Sequence, residues 1–596
     1  MAAALLWWLW RPGGRTSAPP QELPRLSPGP YLNAGPEAAY VGTQACVRCH
    51  RTEYESYLET MHSRSLNDMD ASAEPPDATF EVTQSRRVYS VYRDGNQLRH
   101  RQSIRTDDSA EVALADHPLR YVVGSGHLAR TYLIEADGFL MESPITWYAL
   151  QKKWALSPGY EGNDSGFARP VYFDCMNCHA GHVEADRNSD GRMTVHDKAI
   201  GCERCHGPGE LHVRERSAVK EITGPLDATI VNPLHLDRER QEAVCAQCHL
   251  RGKATVELTG RRARDFRPGL RYTDFCMDYA LESKNGSTAF VGQVEQMRAS
   301  RCYVASETMT CTTCHDPHAR PAEADRVAHY RQRCLACHND RGCGLAEHER
   351  LAKTTQDECA LCHMPSTTTD IPHVAATNHR IAIHVPHAGS VGTNELGNLK
   401  PLSSVSHLPR LEQARALGLA YLQVSLQESD PVRSGKYRLR ARDELRDIER
   451  ELSGDATVLA ALALIASLDK PAETVAFAER ALRQDPLAPA TRVRALFSLS
   501  DTYWRQQRTD LALPRLEELV KIRRQGGDWF RLAVCRYRSG DLPAAAEAAR
   551  VAVEIMPDRP QFHELLAEIL QKQGEREGAA EHRRLAGQLG DLPGAN

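Results

Sequence analysis

The last third of the chain has a hydrophobic pattern with helical period. After about residue 408, Ala, Leu, Glu and Arg dominate, and apolar positions recur every three or four residues. Some residue types also recur at a fixed interval, as in Gly540 and Gly574 or Ala545 and Ala579, which are 34 positions apart. That interval is typical of stacked helix–turn–helix repeats. The pattern predicts about three to four helical repeats within residues 408–592, with a plain helical bundle as the alternative.

Residues 80–150 instead alternate between apolar and polar positions. The run from Arg87 to Tyr92 reads Arg-Val-Tyr-Ser-Val-Tyr, which is the period of a half-buried strand. Asp94-Gly95-Asn96 follows it, and Ala136-Asp137-Gly138 separates two further alternating runs. Both sequences are typical of hairpin turns. We therefore predict a small antiparallel β insertion at about 80–150.

The first 39 residues have neither pattern. Residues 2–10 are Ala-Ala-Ala-Leu-Leu-Trp-Trp-Leu-Trp, an apolar run that is too short to span a bilayer and lacks the basic start of a secretory signal. We interpret this run as a truncated or mis-started signal or membrane anchor; the alternative is an unusually short signal. Residues 11–39 are rich in Pro and Gly and are predicted to be a linker.

Between residues 40 and 400 the chain carries copies of one short motif, Cys-x-x-Cys-His. This motif is the attachment signature of c-type haem: the two thiols bind the porphyrin covalently and the histidine binds the iron. With 18 Cys and 25 His in 596 residues, chance alone predicts roughly 0.02 matches. We predict seven covalently bound haems c. The attachment residues are Cys46, Cys49, Cys175, Cys178, Cys202, Cys205, Cys245, Cys248, Cys311, Cys314, Cys334, Cys337, Cys359 and Cys362, and the iron ligands are His50, His179, His206, His249, His315, His338 and His363.

Zinc and dithiol chemistry are the alternatives for paired cysteines. Cys175 and Cys178 together with Cys202 and Cys205 could form a four-thiolate zinc site. A zinc site, however, does not require a histidine directly after the second cysteine, and here every pair has one. A thioredoxin-like dithiol needs one pair rather than several. Covalent haem is therefore the favoured interpretation.

The spacing of the motifs predicts a crowded array. From residue 171 to 390 there is room between motifs for short helices and loops alone, so the porphyrins must pack against one another. Such closeness is what electron transfer from haem to haem requires. The predicted fold is mainly α: a heptahaem cytochrome c domain at 40–400 with little regular structure besides the β insertion, followed by an α-helical solenoid.

Composition narrows the functional classes. The net charge is −4 and there is no basic run, which argues against nucleic acid as a partner. Because 6% of the residues are aromatic, the porphyrins would supply much of the apolar core. Haem is attached to this motif outside the cytoplasmic membrane of bacteria, so we expect a periplasmic or otherwise exported protein. That compartment permits disulfides among the remaining cysteines, and Cys302 with Cys343 is the favoured pair.

Each iron also needs a second axial ligand or an open face, and two histidines give a low-spin iron suited to electron transfer. His318 lies three residues after His315, on the same side of that porphyrin, so it should serve a neighbouring haem. The same argument applies to His212, which follows His206. The candidate second ligands are His62, His212, His318, His373 and His379, followed by His117, His127, His182, His196, His235 and His384.

Several segments resemble those of bacterial multihaem cytochromes c of the cytochrome c-552/4-like class. They are Cys202-Glu-Arg-Cys205-His206-Gly-Pro-Gly-Glu-Leu-His212, Cys311-Thr-Thr-Cys314-His315-Asp-Pro-His318 and Cys359-Ala-Leu-Cys362-His363-Met-Pro. The class is related to the tetrahaem cytochrome that accepts electrons from hydroxylamine oxidation, and some members carry C-terminal tetratricopeptide (TPR) repeats. The resemblance implies a mostly helical core of closely stacked, mainly bis-histidine haems, with His212 and His318 as distal ligands.

The favoured function is exported electron transfer between redox partner proteins, while the repeats bind a protein or peptide. Removal of the residues after 408 is then expected to leave the haem domain intact. The alternative is a multihaem oxidoreductase that acts on a small nitrogen or sulfur compound at one open-site haem. Nitrite reductases of the ammonia-forming type typically use Cys-x-x-Cys-Lys at the catalytic haem, and no such motif occurs here, so a carrier is favoured over an enzyme. A scaffold or sensor with structural haems ranks last.

Overall fold

The structure, a computed structural model, describes residues 22–106, 110–162, 164–218, 224–282, 292–339, 342–354, 356–366, 377–384 and 396–590. The chain is 47% helical and 17% strand, so the prediction of a mainly α fold fits. The predicted signal or anchor at residues 2–10 and the candidate ligand His373 lie outside the described residues. Within them, no helix has the length and apolarity that a membrane crossing requires.

Two antiparallel sheets form between the first and second attachment motifs. The strands are β1 (Leu66–Asp68), β2 (Ala78–Val82), β3 (Arg87–Asp94), β4 (Gln97–Arg105), β5 (Glu111–Pro118), β6 (Tyr121–Val123), β7 (Ala129–Ala136), β8 (Phe139–Tyr148), β9 (Lys153–Leu156) and β10 (Arg169–Pro170). One sheet has the order β2-β3-β4-β5, and the other has the order β1-β6-β7-β8-β10 with β9 also paired to β8. The strands thus extend on both sides of the predicted 80–150.

Tight turns join the strands at both predicted positions. Asp94 ends β3, and Gly95 in the turn to β4 has a φ of +57°. Asp137 and Gly138 join β7 to β8 with φ values of +54° and +76°. Positive φ values are what two-residue hairpin turns require, which explains the Gly and Asp at these positions.

The two sheets share one apolar core, which includes Tyr132, Met141 and Trp154. His100 of β4 is fully buried in this core, and its Nδ1 lies 2.7 Å from the Ser143 hydroxyl. Its ring contacts the edges of Tyr132 and Trp154. Burial disfavours the charged ring and lowers the pKa of His100 from 6.5 to about 3.

We expect His100 to make the protein less stable as the pH falls. The His100 ring takes up a proton below about pH 6.5 in the unfolded chain but only below about pH 3 in the folded chain. The contribution of the neutral ring to stability is therefore fully present above about pH 6.5 and is lost as the pH falls from about 6.5 to about 3. In His100→Phe, which keeps an aromatic ring, the pH slope of the unfolding free energy should decrease by up to about 1.4 kcal/mol per pH unit. Denaturant unfolding between about pH 4.5 and 6.5 measures this; equal slopes in both proteins would contradict it.

Short helices carry most of the attachment motifs. The helices of this region are α1 (Gln44–Val47), α2 (Arg51–Tyr57), α3 (Phe173–His179), α4 (Cys202–His206), α5 (Glu210–Ser217), α6 (Arg238–His249), α7 (Gln293–Arg298), α8 (Arg301–Ala305), α9 (Arg326–His338), α10 (Glu347–Lys353) and α11 (Cys359–His363). Helices α3, α4, α6, α9 and α11 each end on the histidine of a motif. Residues three apart share a helix face, so the two thiols of such a motif point to one side.

Small sheets complete the haem domain. They are a hairpin of β11 (His182–Ala185) and β12 (Met193–Asp197), and a three-stranded sheet of β13 (Ala254–Glu257), β14 (Cys276–Glu282) and β15 (Asn398–Pro401). The sheet pairs the end of the haem domain, β15, with its middle, β14.

Ten helices in five consecutive hairpins make up residues 410–590. They are α12 (Arg410–Gln427), α13 (Pro431–Ile448), α14 (Ala456–Ala466), α15 (Pro471–Leu482), α16 (Pro489–Arg505), α17 (Thr509–Ile522), α18 (Gly526–Arg538), α19 (Leu542–Ile555), α20 (Pro560–Gln573) and α21 (Arg576–Gly590). Gly540 and Gly574, at the ends of α18 and α20, have φ values of +87° and +86°, which glycine adopts at little cost. The hairpins α14 to α21 agree with the predicted three to four repeats, and the additional first hairpin, α12 and α13, has longer helices without the 34-residue spacing.

The first hairpin of the repeats shares a core with the three-stranded sheet. Val256, Tyr279 and Leu399 of the sheet belong to the same buried cluster as Ala416 and Ala420 of α12. Polar contacts follow the same seam: Glu412 of α12 accepts hydrogen bonds from the backbone and side chain of Thr259 at 3.0 and 2.7 Å. The repeat array is therefore built onto the haem domain.

A second seam joins the middle of the array to the β strands. The Ser189 hydroxyl and the Asp190 amide, between β11 and β12, both donate to the Ile522 carbonyl at 2.9 Å. Arg524 pairs with Asp137 at 2.9 Å in the turn between β7 and β8. These contacts place the end of α17 against the β strands of the haem domain.

Candidate haem sites

The attachment motifs contact one another through their cysteines. We number the sites 1 to 7 in chain order, from the site of His50 to that of His363. Close approaches between cysteine side chains join sites 1 and 3, 2 and 4, 4 and 5, and 6 and 7. The pairs are Cys46 with Cys202, Cys178 with Cys248, Cys245 with Cys311, and Cys334 with Cys359. Neighbouring attachment sites are thus close enough for their porphyrins to be in contact.

Among the described residues, four pairs of histidine rings lie opposite each other at similar distances. In each pair one ring belongs to a motif and the other is one of the predicted second ligands. The ring-centre distances are 6.4 Å for His50 and His212, 6.1 Å for His249 and His62, 5.9 Å for His206 and His318, and 6.2 Å for His315 and His379.

These distances fit one metal ion between two imidazoles. A metal–imidazole bond is about 2.0 Å long and a ring nitrogen lies about 1.15 Å from the ring centre, so two axial imidazoles have ring centres about 6.3 Å apart. His206 and His318 are also nearly parallel, with 10° between their planes. The residues present therefore fit bis-histidine haem iron at sites 1, 3, 4 and 5.

The protein holds the second nitrogen of four of these rings and that of the motif histidine of site 7. A metal-binding histidine usually donates its other N–H to an acceptor, which fixes the ring and leaves Nε2 for the metal. In each case Nδ1 lies within hydrogen-bond distance of an acceptor. The pairs are His206 with the carbonyl oxygen of Val231 (2.8 Å), His379 with that of Thr377 (2.9 Å), His363 with that of Ala382 (3.0 Å), His212 with Oδ2 of Asp227 (3.1 Å) and His249 with Oε1 of Gln293 (3.2 Å).

Burial favours the neutral rings that bind metal. Desolvation, with a smaller contribution from His249, lowers the pKa of His62 to about 4. Desolvation also lowers the pKa of His179, His206 and His315 from the ordinary value. Neutral imidazole is the form that coordinates iron, so these sites need no proton loss at neutral pH.

Sites 6 and 7 have little protein core of their own. Between Arg326 and Ser366, Thr354 is the one buried residue among those described. Leu351 and Leu361 beside the motifs are 48% and 53% exposed. Apolar side chains exposed next to attachment cysteines are what a porphyrin would cover.

The remaining candidates lie elsewhere. In the described part of the chain, the rings of His338 and His363 contact no second histidine. His182 and His196 stack on each other at 5.0 Å, and His117 packs against Phe167. These lower-ranked histidines therefore do not face a motif histidine.

The predicted disulfide is not formed. Cys302 and Cys343 are separate thiols, and Cys302 instead lies close enough to Cys314 and Cys334 to influence their ionisation. The four-thiolate alternative is not formed either, because Cys178 contacts Cys248. Throughout the described ranges, no three His, Cys, Asp or Glu side chains converge in a way that could hold a metal ion.

The fold and the sites define a multihaem cytochrome c with a C-terminal helical repeat array. Two family models match segments of the chain: the doubled CXXCH motif matches residues 304–343, and cytochrome c554 and c-prime matches residues 45–93 and 167–207. These segments contain the motifs of sites 1, 2, 3, 5 and 6. The resemblance to multihaem cytochromes c that the motifs indicate is confirmed.

Similar solved structures include "MamA MSR-1 C2" and "MamA 41-end from Desulfovibrio magneticus RS-1". Both are 20% identical to this chain; they cover 30% and 29% of it and 97% and 94% of their own lengths, with TM-scores of 0.26 and 0.25. Because these scores are low, the assignment of the array rests on its own five hairpins. A comparison with curated proteins finds no match.

Proposed function

We propose that the protein is an exported multihaem c-type cytochrome that transfers electrons along seven closely packed haems while its helical repeats bind a protein partner. Haem at these sites supplies one-electron exchange between ferric and ferrous iron. The observation that carries the proposal is the set of four facing histidine pairs, because two axial histidines favour electron transfer over substrate binding at iron. Export follows from where covalent haem attachment takes place.

The second ligands join distant parts of the chain into one unit. We assign His212 to site 1, His318 to site 3, His62 to site 4 and His379 to site 5. His318 comes directly after the motif of site 5, and His62 comes after the motif of site 1. Each of these stretches would attach one haem and clamp another, so the array would fold as a whole.

The cysteine contacts suggest an order. Site 1 adjoins site 3, and site 4 adjoins both site 2 and site 5. The burial of Cys205 together with the influence of Cys248 on its pKa, which is raised to about 11, indicates that site 3 also lies near site 4. Sites 6 and 7, with their exposed surroundings, are the proposed place of electron exchange with a redox partner.

The repeat array offers a separate surface for a protein. Helices α16, α18 and α20 line an open pocket of about 590 Å³. Phe530 and Phe562 stack in it at 4.7 Å, and Arg523 lies 5.0 Å from the ring of Phe497. Aromatic and arginine side chains are frequent anchors of protein interfaces, which supports a docking role for this face.

Mass and spin state test the assignment together. We expect the intact mass of the exported protein to contain seven haem additions, and the ferric EPR spectrum to contain low-spin signals from at least sites 1, 3, 4 and 5. Apoprotein expressed without haem attachment is the control for the mass. Fewer than seven additions would leave some motifs empty, and high-spin signals at the four paired sites would contradict the electron-transfer assignment.

A further inference from the structure

One of the histidine ligands assigned above hydrogen-bonds a carboxylate. Nδ1 of His212 lies 3.1 Å from Oδ2 of Asp227. The carboxylate is held in place, because the Thr229 amide and hydroxyl donate to its other oxygen at 2.8 and 2.5 Å. The side chain of Asp227 is 13% exposed, so water screens it weakly.

At the neighbouring site 3, the motif histidine has a neutral acceptor in the same position, and the carboxylate near the second ligand, that of Asp316, is 3.8 Å from Nδ1 of His318, beyond hydrogen-bond distance and about half exposed. Nδ1 of His206 lies 2.8 Å from the carbonyl oxygen of Val231, four residues after Asp227. One short segment, 227–231, thus orients a ligand of site 1 through a carboxylate and a ligand of site 3 through a carbonyl. The acceptors of His249 and His379 are also uncharged, namely Gln293 Oε1 and Thr377 O.

A carboxylate acceptor changes the balance between ferric and ferrous iron at the haem that the ring binds. It increases the basicity of the imidazole, which strengthens the bond to the more highly charged ferric ion. Its negative charge also favours ferric over ferrous iron in a weakly screened position. Arg216, whose Nε is 3.6 Å from the same carboxylate oxygen, offsets part of this charge. Because Asp227 contacts the ring directly, we expect its effect on the iron to be larger than the opposing effect of Arg216.

We propose that Asp227 lowers the reduction potential of the haem held by His50 and His212 below that of its neighbour at site 3. An electron shared by the two sites would then reside on site 3, and no bond is made or broken. The proposal rests on the proposed function, specifically on the assignment of His212 to site 1. Asp227 is a positioning residue that acts on the iron through His212.

A redox titration of the full holoprotein tests this inference. In Asp227→Asn, which keeps the shape and removes the charge, one haem component should become at least about tenfold easier to reduce, a shift of about 59 mV for a one-electron couple. Glu210→Gln is the matched control, since Glu210 lies on the same helix as His212 but pairs with Arg214. It should shift no component by a comparable amount. Asp227→Glu keeps the charge and should restore most of the wild-type value.

The outcomes separate this inference from the assignment it rests on. If His212→Ala leaves the ferric low-spin signals unchanged, His212 does not bind the iron and the assignment of site 1 fails. If His212→Ala produces a high-spin signal but Asp227→Asn shifts nothing, or shifts no more than Glu210→Gln, the inference about Asp227 alone is overturned. Loss of the low-spin signal in Asp227→Asn would also overturn it, since the residue would then merely hold His212 in place.

Discussion

Replacement of His318 by Ala should convert one haem from low-spin to high-spin, and that haem should be attached at a different motif from the one next to His318. The ring centre of His318 lies 5.9 Å from that of His206 of site 3, with the ring planes nearly parallel, although His318 follows His315 of site 5 by three residues. The variant would remove the second axial ligand of site 3 while Cys202, Cys205 and His206 stay in place. Ferric EPR should therefore show one new high-spin haem. The intact mass should decrease by the imidazole group alone, because every haem stays attached.

His127→Ala is the control for this experiment. His127 is exposed in the loop between β6 and β7 and makes no ring contact with a motif histidine among the described residues. Its replacement should leave the EPR spectrum unchanged. An unchanged spectrum in His318→Ala would show that His318 is not a ligand, and the loss of several low-spin signals would indicate that the array had unfolded.

The local features of the haem domain could be predicted because their causes lie within a few residues. Two cysteines and a histidine within five positions need one helical turn to reach the same side, as at the end of α4. The turns at Gly95 and at Asp137 with Gly138 follow from the conformational freedom that those residues have.

The pairing of histidines depends on contacts between distant segments, and no local rule encodes it. The argument that His318 stays on the side of His315 predicts that it serves another haem but cannot name the haem. That His62 faces His249, with the β strands between them in the chain, follows from the fold alone. The role proposed for Asp227 is similar, because a solitary Asp near Thr gives no signal in the sequence.

The boundary between the two predicted domains also depends on long-range pairing. A change of composition near residue 408 suggests two separable parts. In the structure, β15 pairs with β14, and their sheet packs on α12, so apolar residues on both sides of the boundary belong to one core. Sequence periodicity describes the helices but does not show what covers their faces.

Truncation after residue 408 should therefore destabilise the haem domain, contrary to the expectation from composition. It would expose Val256, Tyr279 and Leu399, which are 4%, 2% and 6% exposed in the intact protein. Each such side chain contributes about 1.5–3 kcal/mol by burial, and a whole domain is stable by about 5–15 kcal/mol. We expect a loss of several kcal/mol in the unfolding free energy, measured by denaturant titration of the visible haem spectrum.

Truncation after residue 487 provides the comparison, because it retains the first two hairpins, α12 to α15. It also keeps Asp455, which holds the buried Arg415 of α12 at 2.6 Å; a cut before Asp455 would leave that guanidinium with less compensation for its buried charge. The longer protein should unfold at nearly the same denaturant concentration as the haem domain of the full chain, although it lacks the seam at Ile522. Equal unfolding free energies for the two truncations would show that the sheet does not need α12, and the repeats would then be an independent domain.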